Sequence, residues 1–64
     1  MTKRLQTDMQ FERALLSRST VYARRRHPGR IDHVGAVDSF NPIFVTLSGA
    51  RLFRDDYEFI MKSP

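Results

Sequence analysis

The side chains best suited to chemistry lie between positions 17 and 30. Ser17-Arg18-Ser19-Thr20-Val21-Tyr22 is followed by Arg24-Arg25-Arg26, then His27-Pro28-Gly29 and Arg30. An arginine fork grips a guanine edge or a phosphate at two points, and serine and threonine hydroxyls reach either group. If this stretch is a helix, Arg18, Ser19, Thr20 and Tyr22 fill its first turns, where side chains meet base edges and the helix N-terminus suits phosphates. Arg24, Arg25 and Arg26 then fan over about 200°, so one or two of them reach phosphates. Arg30 adds a further phosphate contact. The plainer alternatives are a helix start merely supported by Ser19 and Thr20, a Tyr22 ring packed on the core, and a solvated basic surface.

Charge favours the polyanion. Residues 1–30 hold eight Lys or Arg against Asp8 and Glu12, whereas residues 31–64 hold three against five acids. So lopsided a distribution points one side of a small domain at nucleic acid. The carboxylates suggest no catalysis. Asp55-Asp56 reads as a helix start, where the dipole favours acids. His27 and His33 read as surface residues, and there is no cysteine. No nucleophile–base pair, phosphate loop or metal-ligand spacing is present. The expectation is a protein that is not an enzyme and uses no metal or cofactor.

The elements that must position the arginines come from local signals. The chain of 64 residues makes one domain with a small apolar core. Residues 1 to 6 read as frayed. Thr7 is an N-cap, with Asp8 in the first turn, and Phe11, Ala14 and Leu15 at helical spacing predict a helix over 8–15. Leu16 reads as a buried hinge. Ser17 is a second N-cap, opening a helix over 18–26 that His27-Pro28-Gly29 ends. Ile31 to Val37 is extended. Ile43 to Leu47 and Arg51 to Phe53 make a β-hairpin around Ser48-Gly49-Ala50. Asp55 opens a last helix with Tyr57, Ile60 and Met61 as its apolar stripe, stopped by Ser63-Pro64. The predicted core is Phe11, Leu16, Val21, Phe44, Val45, Leu52, Phe53, Tyr57 and Ile60; Phe40, Ile43 and Met61 are harder to place inside.

The order helix, helix, hairpin, helix predicts an α+β fold, a small winged helix-turn-helix. Two segments carry a resemblance. SRSTVY (17–22) resembles the start of the recognition helix in bacterial and phage helix-turn-helix proteins. RLFRDDYE (51–58) is similar to the strand and acid-capped helix that end the same domains. Together they cover 14 of the 64 residues. The family is the MerR-like winged helix in its short form, which includes phage excisionases and AlpA-type regulators. The chain departs from it at Phe11, at Leu15 and Leu16, and in the long stretch from Gly29 to Ile43.

The resemblance implies a phage or mobile-element protein that binds specific double-stranded DNA. It would act as an excisionase, a transcriptional regulator or both, with copies side by side on DNA and a site-specific recombinase as partner. Arg51 would then touch the minor groove from the wing. The rival expectation is a small phage protein that binds and inhibits a host protein. RNA binding ranks third, because no aromatic platform is evident in the sequence. With no apolar run of about 18 residues and no apolar stretch behind Lys3 and Arg4, neither a membrane span nor a signal peptide is expected, and the location reads as cytoplasmic.

Overall fold

The computed structural model describes residues 2–29 and 31–62, without the side chain of Thr2. The elements are β1 (Thr2–Leu5), α1 (Asp8–Ser17), β2 (Thr20–Arg25), β3 (His33–Phe40), β4 (Phe44–Leu47), β5 (Ala50–Phe53) and β6 (Tyr57–Lys62). The strands form one sheet in the order β1-β6-β2-β3-β4-β5, antiparallel throughout.

The expected winged helix-turn-helix is therefore overturned. One helix stands where three were predicted, and a six-stranded sheet where a single hairpin was expected. The predicted helix over 18–26 is mostly β2, and the predicted last helix is mostly β6. Ser63 and Pro64, read as its stop, lie outside the described residues, as does Arg30.

The first helix forms for local reasons. Thr7 caps it with a complete capping box: its Oγ1 accepts from Gln10 N at 3.2 Å, and Gln10 Oε1 accepts from Thr7 N at 3.0 Å. Phe11 and Ala14, one turn apart, are buried. The helix ends because Arg18 turns left-handed, with φ 53°. Ser19 N then donates to Ala14 O and Arg18 N to Leu15 O, both at 3.3 Å. This paired closure satisfies the last carbonyls and sends the chain off the helix axis. Ser17 thus closes one helix instead of opening another.

Beyond Arg18 the period changes. In β2, Val21 and Ala23 are buried while Thr20 and Arg24 are exposed, the two-residue alternation of a strand with one wet face. β-Branched Thr20 and Val21 and aromatic Tyr22 suit that surface. The same reasoning corrects β6. Tyr57 and Phe59 are buried with Glu58 and Ile60 less so, so the apolar residues recur at two, not at three and four. In a six-residue window both periods fit, and only pairing decides.

β3 is shared between two ladders. His33–Ala36 pairs with β2, and Val37–Phe40 with β4, with a register shift between Val37 and Ser39. A bulge there bends the sheet. The predicted hairpin is present as β4 and β5 around Ser48 and Gly49, whose φ values of 45° and 88° are those of a two-residue primed turn. That turn folds back onto β3: Ser48 N donates to Ala36 O at 3.1 Å and Gly49 N to Asp38 Oδ2 at 2.8 Å. The close approach requires glycine at 35, since a Cβ there would meet Ser48 Oγ at 2.2 Å.

The core lies between α1 and the inner sheet face. Phe11 packs edge-on against Phe59 at 5.4 Å and tilted against Phe40 at 6.0 Å. Val21, Val45, Leu52 and Tyr57 are buried as expected, but the core also takes Leu5, Ala14, Ala23, Val37, Leu47 and Phe59. Of the other predicted core residues, Leu16 is 73% and Phe53 51% exposed, while Phe44 and Ile60 are half-buried. Phe40 and Met61 pack against the core, and Ile43 is 60% exposed.

Arg54 ties the far ends of the chain together. Its guanidinium sits 4.6 Å from the Phe11 ring centre. It donates to Asp8 Oδ1 at 2.6 Å, Asn41 O at 2.9 Å and Gln6 O at 3.1 Å. The turn before β6 is thereby fixed to the start of α1 and to the β3–β4 loop.

Candidate nucleic-acid interface

Residues directly opposite each other on antiparallel strands share a face. Leu5, Phe59, Ala23 and His33 are in register across β1, β6, β2 and β3, and the first three are buried. That row marks the inner face. The next row, Arg4, Ile60, Tyr22 and Val34, therefore lies on the outer face, turned away from α1. Val34 is 61% exposed; Ile60 and Tyr22 are half-buried. Around this strip the same alternation sets exposed Thr20 and Arg24 of β2 and Lys62 of β6.

Polar contacts fix the strip. Glu58 accepts from Arg24 Nη2 at 2.8 Å and stands 3.8 Å from Arg4 Nη2. The Tyr22 hydroxyl donates to Asp32 Oδ2 at 2.5 Å, and Asp32 Oδ1 accepts from Arg25 N at 2.9 Å. Asp32 thus latches the β2–β3 loop across the end of β2. The Arg25 N–H, then the Tyr22 hydroxyl, lower the Asp32 pKa, with help from the Arg25 and Arg24 charges. The carboxylate's hydrogen bond is the main cause raising the Tyr22 phenol, with desolvation and the carboxylate's charge behind it.

Of the residues singled out in the sequence, the fold gathers Thr20, Tyr22 and Arg24 onto this face. Arg25 and Arg26 follow at the end of β2, both exposed. Arg26 is tethered there, its Nε donating to Tyr57 O at 3.1 Å and its N–H to Asp56 O at 2.9 Å. Arg18 is not in the group, because it closes α1. Ser19 is half-buried, its hydroxyl 2.7 Å from that of Ser17. Arg51 lies on β5 in the other ladder, its guanidinium 4.6 Å from the Phe44 ring centre. Arg4, Val34, Ile60 and Lys62 were missed. Arg4 fell in a segment read as frayed, and Ile60 in one read as helix. The alternation in Tyr57–Lys62 was the available signal.

A cleft of about 250 Å³ opens elsewhere, over Phe11, Tyr57 and Phe59, with Arg26 and Arg54 at its rim. Arg54 spends its donors on protein groups there. Among the described residues no cluster of three or more metal-ligating side chains occurs, and no helix is long and apolar enough to cross a membrane.

Comparison with known proteins returns no matching family model, no matching curated sequence and no matching solved structure. The segment SRSTVY, which carries the winged-helix resemblance, is the end of α1, a left-handed turn and the start of β2. RLFRDDYE is most of β5, a turn and the start of β6.

Proposed function

We propose that this protein binds nucleic acid through the outer face of β1, β6, β2 and β3, with single strands as the preferred form. One observation carries the reading: the strip of Ile60, Tyr22 and Val34 lies on a solvent-facing sheet surface, edged by Arg4, Arg24 and Lys62. The wet face of an antiparallel sheet is ordinarily polar. An apolar and aromatic strip rimmed by cations offers bases a surface to stack on and phosphates a charge to meet. Glu58 pairs with both Arg4 and Arg24 and offsets one of the three positive charges that they and Lys62 bring, so the rim stays net positive.

Duplex DNA is the competing ligand. The mode expected for it, a helix laid in the major groove, has no counterpart in residues 18–26, because Arg18 closes α1 and residues 20–25 pair with β6 and β3. A role in excision or transcription would have to act through the sheet face instead.

The test is fluorescence anisotropy with labelled single-stranded RNA, single-stranded DNA and duplex DNA, each over a range of salt. Single strands should bind more tightly than duplex, and log affinity should fall linearly with log salt, at about −0.7 per phosphate neutralised. Tyr22→Ala should weaken binding by the loss of one stacked base, about 1–3 kcal/mol, while Tyr22→Phe keeps the ring and most of the affinity. Equal loss in both variants, or no salt dependence, would refute the reading. Tighter binding to duplex would return the duplex expectation in a new geometry.

A further inference from the structure

The second feature without a structural purpose is the free edge at β5, and it stands apart from the proposed nucleic-acid face. β5 is the last strand of the sheet. Its phase follows from the turn: Leu47 and Ala50 flank a two-residue primed turn, so they exchange hydrogen bonds, as do Val45 and Leu52. Arg54 N donating to Ile43 O at 2.9 Å continues that phase. The N–H and C=O of Arg51 and the N–H of Phe53 therefore point away from β4, where no further strand follows. The Phe53 carbonyl accepts from Asp56 N at 3.1 Å and retains a second lone pair.

Edges are usually blunted with charge, proline or irregularity. The opposite edge, β1, presents Lys3 and Arg4, both exposed. β5 instead sets Phe53, 51% exposed, beside the Phe44 ring at 6.2 Å, and Ile43 nearby is 60% exposed. Its one charge, Arg51, lies back over Phe44. This edge is short, apolar and open.

The geometry points to a second copy of this chain as the occupant, joined through a two-fold axis at Leu52. In that register Arg51 of each copy pairs with the partner's Phe53. The Arg51 N–H donates to the partner's Phe53 carbonyl, and the Phe53 N–H to the partner's Arg51 carbonyl. Each guanidinium then lies between its own Phe44 and the partner's Phe53, so cation meets ring on both sides of the axis. Two alternatives set like charges together; the shift that pairs Phe53 with itself runs beyond the end of β5 into the turn closed by Asp56 N on Phe53 O. Pairing β5 with β1 of another copy brings Arg51 to Lys3 and Arg4, and a register shifted by two residues sets Arg51 against itself. An interface of one short strand from each copy is small, so the dimer depends on concentration.

Sedimentation equilibrium of the full chain tests this. The average mass should rise towards twice the monomer as loading concentration increases. Arg51→Pro removes an N–H that faces away from β4, so it leaves the intramolecular ladder intact and should give a monomer. Phe53→Lys should do the same by charge repulsion, and it decides the matter if the proline variant does not fold. The chain has no cysteine, so a mixture of Arg51→Cys chains with Phe53→Cys chains should form a disulfide-linked dimer on oxidation, with the other Arg51–Phe53 pair kept. A hydrogen-bonded pair is close enough for that bond. A wild-type chain that stays monomeric at every concentration would overturn the proposal. So would folded variants that remain dimeric, or cross-linking by Arg51→Cys alone as efficient as by the mixture.

Discussion

Two consecutive segments, Asp8–Ser17 and Thr20–Arg25, show how differently one chain can encode its elements. The first is a helix whose start and stop are both written in neighbouring residues: Thr7 and Gln10 at one end, Arg18 and Ser19 at the other. The second carries helix-favouring Ala23 and arginines, yet it is a strand because β6, more than thirty residues away, pairs with it. Local chemistry decides α1, and a distant partner decides β2.

The largest effect should come from the ring on which both segments rest. Phe59 is 2% exposed, packs against Phe11, and is in register with Ala23. Phe59→Ala should cost about 3–5 kcal/mol, which is most of the stability of so small a domain. Calorimetry should find the transition lost or shifted far down. In the partly unfolded variant, NMR Cα shifts should retain helical bias at 8–17 and no strand bias at 20–25. Strand bias persisting at 20–25 would break the contrast, since β2 would then be encoded locally.

Next comes Arg54, 15% exposed at its side chain, which links the turn before β6 to α1. Arg54→Met keeps the apolar stem over Phe11 and removes the donors to Asp8, Asn41 and Gln6. A loss of about 2 kcal/mol is expected, within the range for hydrogen bonds to charged groups. Because Asp8 is largely exposed, the ion pair alone would contribute little. Denaturant midpoints that do not move would mean that the Arg54 contacts are incidental.

This division explains what was legible in the sequence. Thr7, Phe11, the Ser48-Gly49 turn and the strands around it were readable because each is a short-range pattern. The strand at Thr20–Arg25 was not, because Ser17 as an N-cap, Ala23, the arginines and the His27-Pro28-Gly29 stop all suit a helix, and two apolar positions, 21 and 23, are too few to set the period against them. The last helix is a separate misreading: Asp55-Asp56 suits a helix start and Tyr57, Ile60 and Met61 fit helical spacing, and with the helix over 18–26 it gave the winged domain. Thr20, Tyr22 and Arg24 were singled out from the sequence, but Arg4, Ile60 and Lys62 on the same face were hidden, since only strand order brings residues 4, 22 and 60 into one row.

Smaller effects sharpen the boundary between the two segments. Thr7→Ala should cost about 1 kcal/mol by opening the capping box. Arg18 holds φ 53° without being glycine, a conformation that costs an ordinary residue roughly 1–2 kcal/mol. Arg18→Gly should therefore raise the melting temperature. A lower melting temperature in Arg18→Gly would mean that the arginine side chain, not the left-handed turn, sets the end of α1.

The smallest effect concerns the end of β2. Asp32 holds the loop through the Tyr22 hydroxyl and Arg25 N. Its pKa is lowered below 3.8 in the fold, so its contribution is complete above that value and fades as pH falls through the lowered one. Tyr22 is raised above 10.0, so its contribution is complete below 10.0 and fades as pH climbs through the raised value. Between those limits the latch is closed. Asp32→Ala removes the hydrogen bond and the negative charge together, and the Tyr22 phenol should then ionise at lower pH than in the unaltered chain, as ultraviolet absorbance during alkaline titration reports. The backbone pairing of β2 with β6 should survive, because Val21 and Ala23 remain buried on the inner face. If amide protection along 21–25 collapses with the latch, β2 depends on its own loop as α1 depends on its caps, and the difference between the two segments is one of degree.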